Sequence, residues 1–304
     1  MKFSVETWAP EYGIAADDAQ MEDSTDAVVV DIEASVDEWA PLDPIPAEMP
    51  NTIMFIDGVR RIDARVWITD EDTVRLGVCA TVAAGSVLCT DTSATVIEAQ
   101  VVRGLFTGPT DAAADIDTRH GSYRYFACEG NDPDDLYLGI HNEMTRLETG
   151  LGVAPECELV VFDGPLRGRN DPNGVGYVKT QHVQYLPEEL QPVLARLEAG
   201  QRTPLFHLGG RAGNRYSWYT RLPIERTQPL AGIVRCEVPA SGSVADAIER
   251  AHQVTALLPR YASEPHKDGR APQNLYPIAG LENELRRRLG DQYLMERALR
   301  MAAA

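Results

Sequence analysis

Four consecutive apolar residues, Ile53, Met54, Phe55 and Ile56, run into Asp57 and Gly58, and from Arg60 to Trp67 apolar and polar positions alternate. An uninterrupted apolar run suits a strand buried on both faces, and the alternation suits one with a wetter side. Gly58 permits a sharp turn or bulge between the two, and lets another group come close to the backbone. The first pattern recurs about a hundred residues on, where Leu159, Val160, Val161 and Phe162 lead into Asp163 and Gly164. Further runs rich in Val, Thr and aromatic residues at 62–69, 74–82 and 96–101 predict a meander after the first Asp strand. Residues 124–128 read as one more strand or as an extension of the helix that follows.

Helical spacing appears at 134–150, where Leu136, Leu138, Ile140, Met144 and Leu147 recur mainly every two to four residues. Glu143 and Glu148 lie on this segment about 140° apart, so they cannot share one site. A helix at 187–199 carries Leu190, Val193, Leu194 and Leu197 on one face. Residues 203–208 and 216–222 read as paired strands about a glycine-rich turn, and 232–238 as another strand. Ser243 caps an amphipathic helix at 243–257, 259–277 is extended and proline-containing, and a last helix covers 278–301. Alternating strands and helices after a meander predict an α/β fold, a mixed sheet flanked by helices in a ribonuclease H-like core.

The charge is unevenly spread. Of the net −18, residues 1–50 supply −12, from thirteen acidic side chains against Lys2. With Pro41, Pro44, Pro46 and Pro50, this segment reads as an acidic N-terminal arm with one short element at 27–32, docking on the body or on a partner, and residues 51–304 as the main domain. Disorder at 8–25 is the plainer expectation for that composition. Between Arg202 and Arg235 there are six arginines against Glu225 alone. Arg211, Arg215 and Arg221 from that stretch, with Arg60, are candidate DNA contacts, although the net charge gives nucleic-acid binding no support. No apolar run approaches a membrane span, so no membrane is expected, and five scattered cysteines without a close pair fit a reducing cytoplasm.

Two strands that each end in Asp-Gly are the makings of a divalent-metal site on a sheet, because hydrolysis of a phosphodiester by metal ions needs hard oxygen ligands gathered from several elements. Asp57 and Asp163 are the first two candidates, and a helical Glu and an acid from the last helix would complete the set. Asp-Gly turns alone are the competing explanation. The cluster at 209–213 lacks the Lys-Ser/Thr of a phosphate-binding loop, no nucleophile elbow is present, and no His-Glu-x-x-His occurs.

The segments Phe55-Ile56-Asp57-Gly58, 159–166 and Tyr177-Val178-Lys179, with 218–223 and 276–282, occur in the order found in the NurA nucleases, and the chain resembles that family over roughly residues 50–290. The resemblance implies a ribonuclease H-like fold, Mn²⁺ or Mg²⁺ as cofactor, and Asp57 and Asp163 as metal ligands. It also implies a helical ligand, Glu148 in preference to Glu143, and a phosphate contact at Lys179. Where family members carry a metal-contacting His near the C-terminus, this chain has Glu282, which can still ligate either ion but leaves the metal preference open. The resemblance further implies a homodimer acting on DNA with a HerA-type hexameric ATPase, in DNA end processing or phage defence. A subunit that keeps the fold and the partner contact without efficient chemistry is the alternative.

Overall fold

The structure is a computed structural model that describes residues 1–6, 22–23, 27–70, 73–179, 183–210, 213–225 and 228–303. The N-terminal strands are β1 (Lys2–Val5), β2 (Glu22–Asp23) and β3 (Ala27–Val29). Then come β4 (Ile53–Asp70), β5 (Thr73–Cys89), β6 (Ala94–Thr107), β7 (Ile116–Thr118), β8 (Gly121–Ala127) and helix α1 (Pro133–Gly150). Strands β9 (Leu159–Asp163), β10 (Gly174–Val178) and β11 (Val183–Gln184) precede the short helix α2 (Pro192–Arg196). The C-terminal part holds β12 (Phe206–Gly209), β13 (Arg215–Arg221), β14 (Ile233–Pro239), α3 (Val244–Leu257), α4 (Tyr276–Arg288) and α5 (Gln292–Ala303).

Twelve of these strands form one sheet in the order β3-β12-β13-β14-β10-β9-β4-β5-β6-β8-β7, with β1 paired to the end of β4. Its centre is an antiparallel meander, β4-β5-β6, continued on the other side of β4 by β9 and β10, which run parallel to it. That order and those directions are those of a ribonuclease H-like sheet. Helices cover both faces, and the alternation of the strands assigns each residue to one of them. Ile53, Phe55 and Val59 of β4, with Leu159 and Val161 of β9, pack with Ile278, Leu281 and Leu285 of α4 and with α3. Met54, Ile56, Val160 and Phe162 pack instead with Leu136, Ile140 and Leu147 of α1.

The chain departs from its sequence pattern in three places. Gly58 makes no turn: β4 is continuous for 18 residues, interrupted by a bulge at Asp63, where the pairing register with β5 shifts. Asp63 is fully buried there and accepts hydrogen bonds from Arg61 Nε at 2.7 Å, Tyr123 Oη at 2.9 Å and Thr81 Oγ1. The helix expected at 187–199 is a 3₁₀ turn, Glu188–Leu190, followed by α2, which starts at Pro192, a residue without an N–H to continue the earlier turn. The last helix is two helices, parted at Gly290, whose φ of 84° is the left-handed value that ends a helix.

The later half of the N-terminal segment docks on the body, one of the two alternatives its sequence left open. β3 forms the sheet edge against β12. Trp39 packs with Leu190, Val193, Leu194 and Phe206 in a separate core cluster. Of residues 8–25, for which disorder was the plainer expectation, 22–23 form β2 against β11 and the others lie outside the described residues.

Candidate metal centre

Strands β4 and β9 lie side by side with Ile56 opposite Phe162, so Asp57 and Asp163 sit next to each other at the following position. Both have the parity of the α4 face. Glu282 comes down on them from α4, between Leu281 and Leu285, which anchor that helix in the core. Gly85 of β5, paired with Asp57, has no side chain to hold the helix off, and a Cβ there would lie 3.0 Å from Leu285 Cδ2 and 3.1 Å from Leu281 Cδ1. One oxygen from each of Asp57, Asp163 and Glu282 falls within 4.8 Å of the others.

Cationic and amide groups surround the three carboxylates. Lys179, just beyond β10, donates from Nζ to Asp163 Oδ2 at 2.5 Å and to Asn274 Oδ1 at 2.9 Å. Arg270, in the loop before α4, grips Glu282 with both nitrogens, at 2.9 Å and 2.5 Å. Asp57 Oδ1 accepts from the Gly58 amide at 2.7 Å, while Oδ2 is buried with no hydrogen-bond partner among the described residues. Burial pushes the Asp57 carboxyl well above the usual carboxylate range, the charges of Asp163 and Glu282 add to the rise, and Lys179 opposes it. Asp163 is raised too, by burial first, with Lys179 again opposing. A buried oxygen without a partner beside two further carboxylates is a donor set that fits a small hard cation, Mg²⁺ or Mn²⁺.

The helical carboxylates lie elsewhere. Glu148 and Glu143 belong to α1, on the other face of the sheet, and neither joins the group of three. Glu148 rests against Gly58, where a Cβ would come within 2.6 Å of its Oε1. Its Oε2 accepts from Arg169 at 3.0 Å. Burial raises its carboxyl, Arg169 resists, and the Asp163 charge is close enough to contribute. Glu143 is clamped by Arg146 through two bonds of 2.6 and 2.7 Å, one turn along its own helix.

Two of the arginines expected at DNA are a correction. Arg215 is 4% exposed and bound to Glu237, and Arg221 is 1% exposed, donating to the carbonyls of Leu194, Pro229 and Ala231. Guanidiniums so enclosed hold strands and loops together and cannot reach a phosphate in solution. Arg60 is exposed, with Nη1 3.1 Å from His141 Nδ1. Arg211 lies outside the described residues. Sequence reasoning passed over Asn274 and Arg270, because nothing in an extended proline-containing segment marks residues that fold back over a strand end.

Fold and site together define an α/β protein of ribonuclease H-like topology in which two carboxylates on adjacent parallel strands meet a third from the helix above them. No protein-family model matches the chain, and no curated relative matches it by sequence. Among solved structures it is similar to the NurA nuclease from Sulfolobus solfataricus, at 13% identity and a TM-score of 0.49, over 84% of this chain and 86% of that one. It is also similar to endonuclease V from Bacillus subtilis (13% identity, TM-score 0.33, 79% and 83% covered) and to the catalytic domain of human endonuclease V (14%, 0.34, 90% and 92%). Among the described residues no helix is long and apolar enough to cross a membrane, and the five cysteines are free and buried.

Proposed function

We propose that this protein is a NurA-like deoxyribonuclease that depends on Mn²⁺ or Mg²⁺. The observation that carries the reading is the convergence of Asp57 and Asp163 on adjacent strands with Glu282 of the overlying helix, with a buried Asp57 oxygen left without a partner among the described residues. When bound, the ion supplies an activated water and offsets the charge that grows on the leaving oxygen of a phosphodiester. Asp57, Asp163 and Glu282 would hold it. Lys179, oriented by Asn274, meets a phosphate oxygen, and Arg270 sets the Glu282 carboxylate in place. Burial keeps bulk water from these charges, which strengthens each interaction.

The reading extends to a homodimer that works in the cytoplasm with a HerA-type hexameric ATPase, in DNA end processing or phage defence. A translocase that feeds DNA to the nuclease relaxes the demand for strong independent binding, and this is compatible with a net charge of −18. The second reading, a subunit without efficient chemistry, is favoured by one observation. Lys179 and Arg270 already neutralise two of the three carboxylates.

Purified protein incubated with single- and double-stranded DNA, with each ion and with and without the ATPase, separates the two. The nuclease reading expects cleavage that EDTA stops and that Asp57→Ala or Asp163→Ala lowers by at least about 100-fold, since a lost ligand removes several kcal/mol of transition-state stabilisation. Near-parental cleavage by either variant, with folding verified by circular dichroism, excludes this centre as the active site.

A further inference from the structure

A second charged cluster lies on the α1 face, across the sheet from the carboxylates. Arg60 projects from β4. Arg167 and Arg169 follow Asp163 in the loop to β10, four and six residues further on. Arg169 is committed to Glu148 and stacks over the Phe162 ring, 4.6 Å from its centroid. Arg60 and Arg167 are different: among the described residues neither forms an ion pair with a carboxylate. Arg60 reaches only the His141 ring, and Arg167 donates to Thr145 Oγ1 at 2.7 Å.

Three features mark this as a place built for an anion. Burial first, then Arg167 and Arg60, push His141 down to about 4, so at neutral pH the imidazole adds no charge and can accept from Arg60. Arg167 is itself lowered, by burial and then by Arg169 and Arg60, with Glu148 opposing; the guanidiniums repel one another in a partly dry setting. Finally, Arg167 has a φ of 50°, in the left-handed region that non-glycine residues avoid, and Gly168 follows at 80°. Backbone held there for a long cationic side chain points to use at a site. The carboxylate of Glu148 feels the charges of both Arg167 and Asp163, which puts the cluster beside the metal centre.

We propose that Arg60 and Arg167, backed by Arg169 and His141, form a phosphate subsite that holds the nucleic-acid backbone next to the bond to be cut. The proposal rests on the nuclease reading for its substrate. An anionic ligand supplies the countercharge that the cluster lacks, and an Arg fork matches phosphate oxygens in pairs. In a protein of net −18, such a local exception also sets the register of a strand that the rest of the surface repels.

The test is fluorescence anisotropy of a short single-stranded oligonucleotide with full-length protein in EDTA, where nothing is cleaved, titrated across salt. Arg60→Gln and Arg167→Gln should each weaken binding roughly 3- to 10-fold and flatten the log–log salt slope by about 0.7, one phosphate contact on a single strand. Arg124→Gln, exposed on β8, should change neither. Arg167→Gly guards against misfolding, because it removes the guanidinium while relaxing the backbone, and should bind as weakly as Arg167→Gln without a lower melting temperature. Sensitivity confined to a 5′-phosphorylated oligonucleotide identifies a terminal phosphate as the occupant, and equal sensitivity of the 5′-hydroxyl form identifies the internal backbone; either supports the subsite. Unchanged affinity and slope in both Gln variants, or a parent protein that binds no oligonucleotide at low salt, overturns it. Binding that depends on these arginines, without cleavage under any Mn²⁺ or Mg²⁺ condition, removes the nuclease reading and leaves the subsite standing.

Discussion

Asp57 is a carboxylate held where a charge is costly, and that has a measurable sign. Its folded-state pKa lies above the ordinary value because of burial and then Asp163, so in that window the folded protein binds more protons than the unfolded chain. Stability contributed by protonated Asp57 is therefore present at low pH and lost as pH rises through the raised value. Asp57→Asn should raise the melting temperature of the EDTA-treated protein at pH 8, with the gain shrinking toward pH 4; no gain at pH 8 would show that the repulsion is relieved in solution. Mn²⁺ or Mg²⁺ should stabilise the parent by about 2.7 kcal/mol at a hundredfold excess over its Kd, and more strongly at pH 8 than at pH 5. Glu282→Ala should shrink that metal-induced rise and slow cleavage. Glu282→His should recover part of both and tilt the preference toward Mn²⁺, since imidazole is the softer ligand. An unchanged metal shift in Glu282→Ala would return Glu282 to the role of an acid held by Arg270. Asp57 and Asp163 were legible as single residues because an Asp-Gly at the end of an apolar run is a local signal, whereas Lys179 and Glu282 came only from the resemblance to the NurA nucleases. Arg270 and Asn274 were not legible, because they reach the site through a loop whose path no local pattern encodes.

At the scale of elements, two glycines decide how closely the helices approach. Gly85 admits α4 on one face of the sheet, and Gly58 admits α1 on the other. The sequence raised close approach at Gly58 as one use of that glycine, and the continuous β4 shows that the turn was the wrong alternative. Gly58→Ala should destabilise the protein by about 1–3 kcal/mol in urea unfolding, because its Cβ would meet Glu148 Oε1 at 2.6 Å and Met144 Cγ at 2.8 Å. It should also disturb the Glu148–Arg169 pair that backs the proposed subsite. Unaltered stability would mean that α1 shifts freely. The sequence put Asp57 and Asp163 at matching positions after two apolar runs, but which face each points to and which helix covers it are tertiary facts, so the sequence could not place Glu148 opposite them. The glycine that breaks the last helix, Gly290, was passed over because helical spacing continues on both sides of it.

For the whole molecule, the decisive contact is between the acidic segment and the body. Composition left open whether residues 27–50 dock on the body or on a partner, because hydrophobic content says nothing of a segment tied down by one long-range ion pair. Glu33 receives both Arg202 nitrogens at 2.6 and 2.7 Å and the Leu205 amide at 2.7 Å. Arg202 is fully buried, and its backbone pairs with Leu42 on one side and Thr220 on the other. Further along, the Ile45 amide donates to His252 Nδ1, tying the segment to α3. Glu33→Ala leaves a buried guanidinium without its countercharge, which costs about 3–5 kcal/mol, whereas replacing both partners by apolar residues of similar volume is often neutral. Chemical denaturation should therefore show a large loss for Glu33→Ala and recovery of most of it in Glu33→Leu combined with Arg202→Met. The loss should appear as one cooperative transition, because Trp39 and β3 share a core with Phe206 and Tyr219 and cannot detach without opening it. A separate early transition in Glu33→Ala, with the main one unmoved, would instead show that the segment is a detachable arm, free to serve a partner as its charge first suggested.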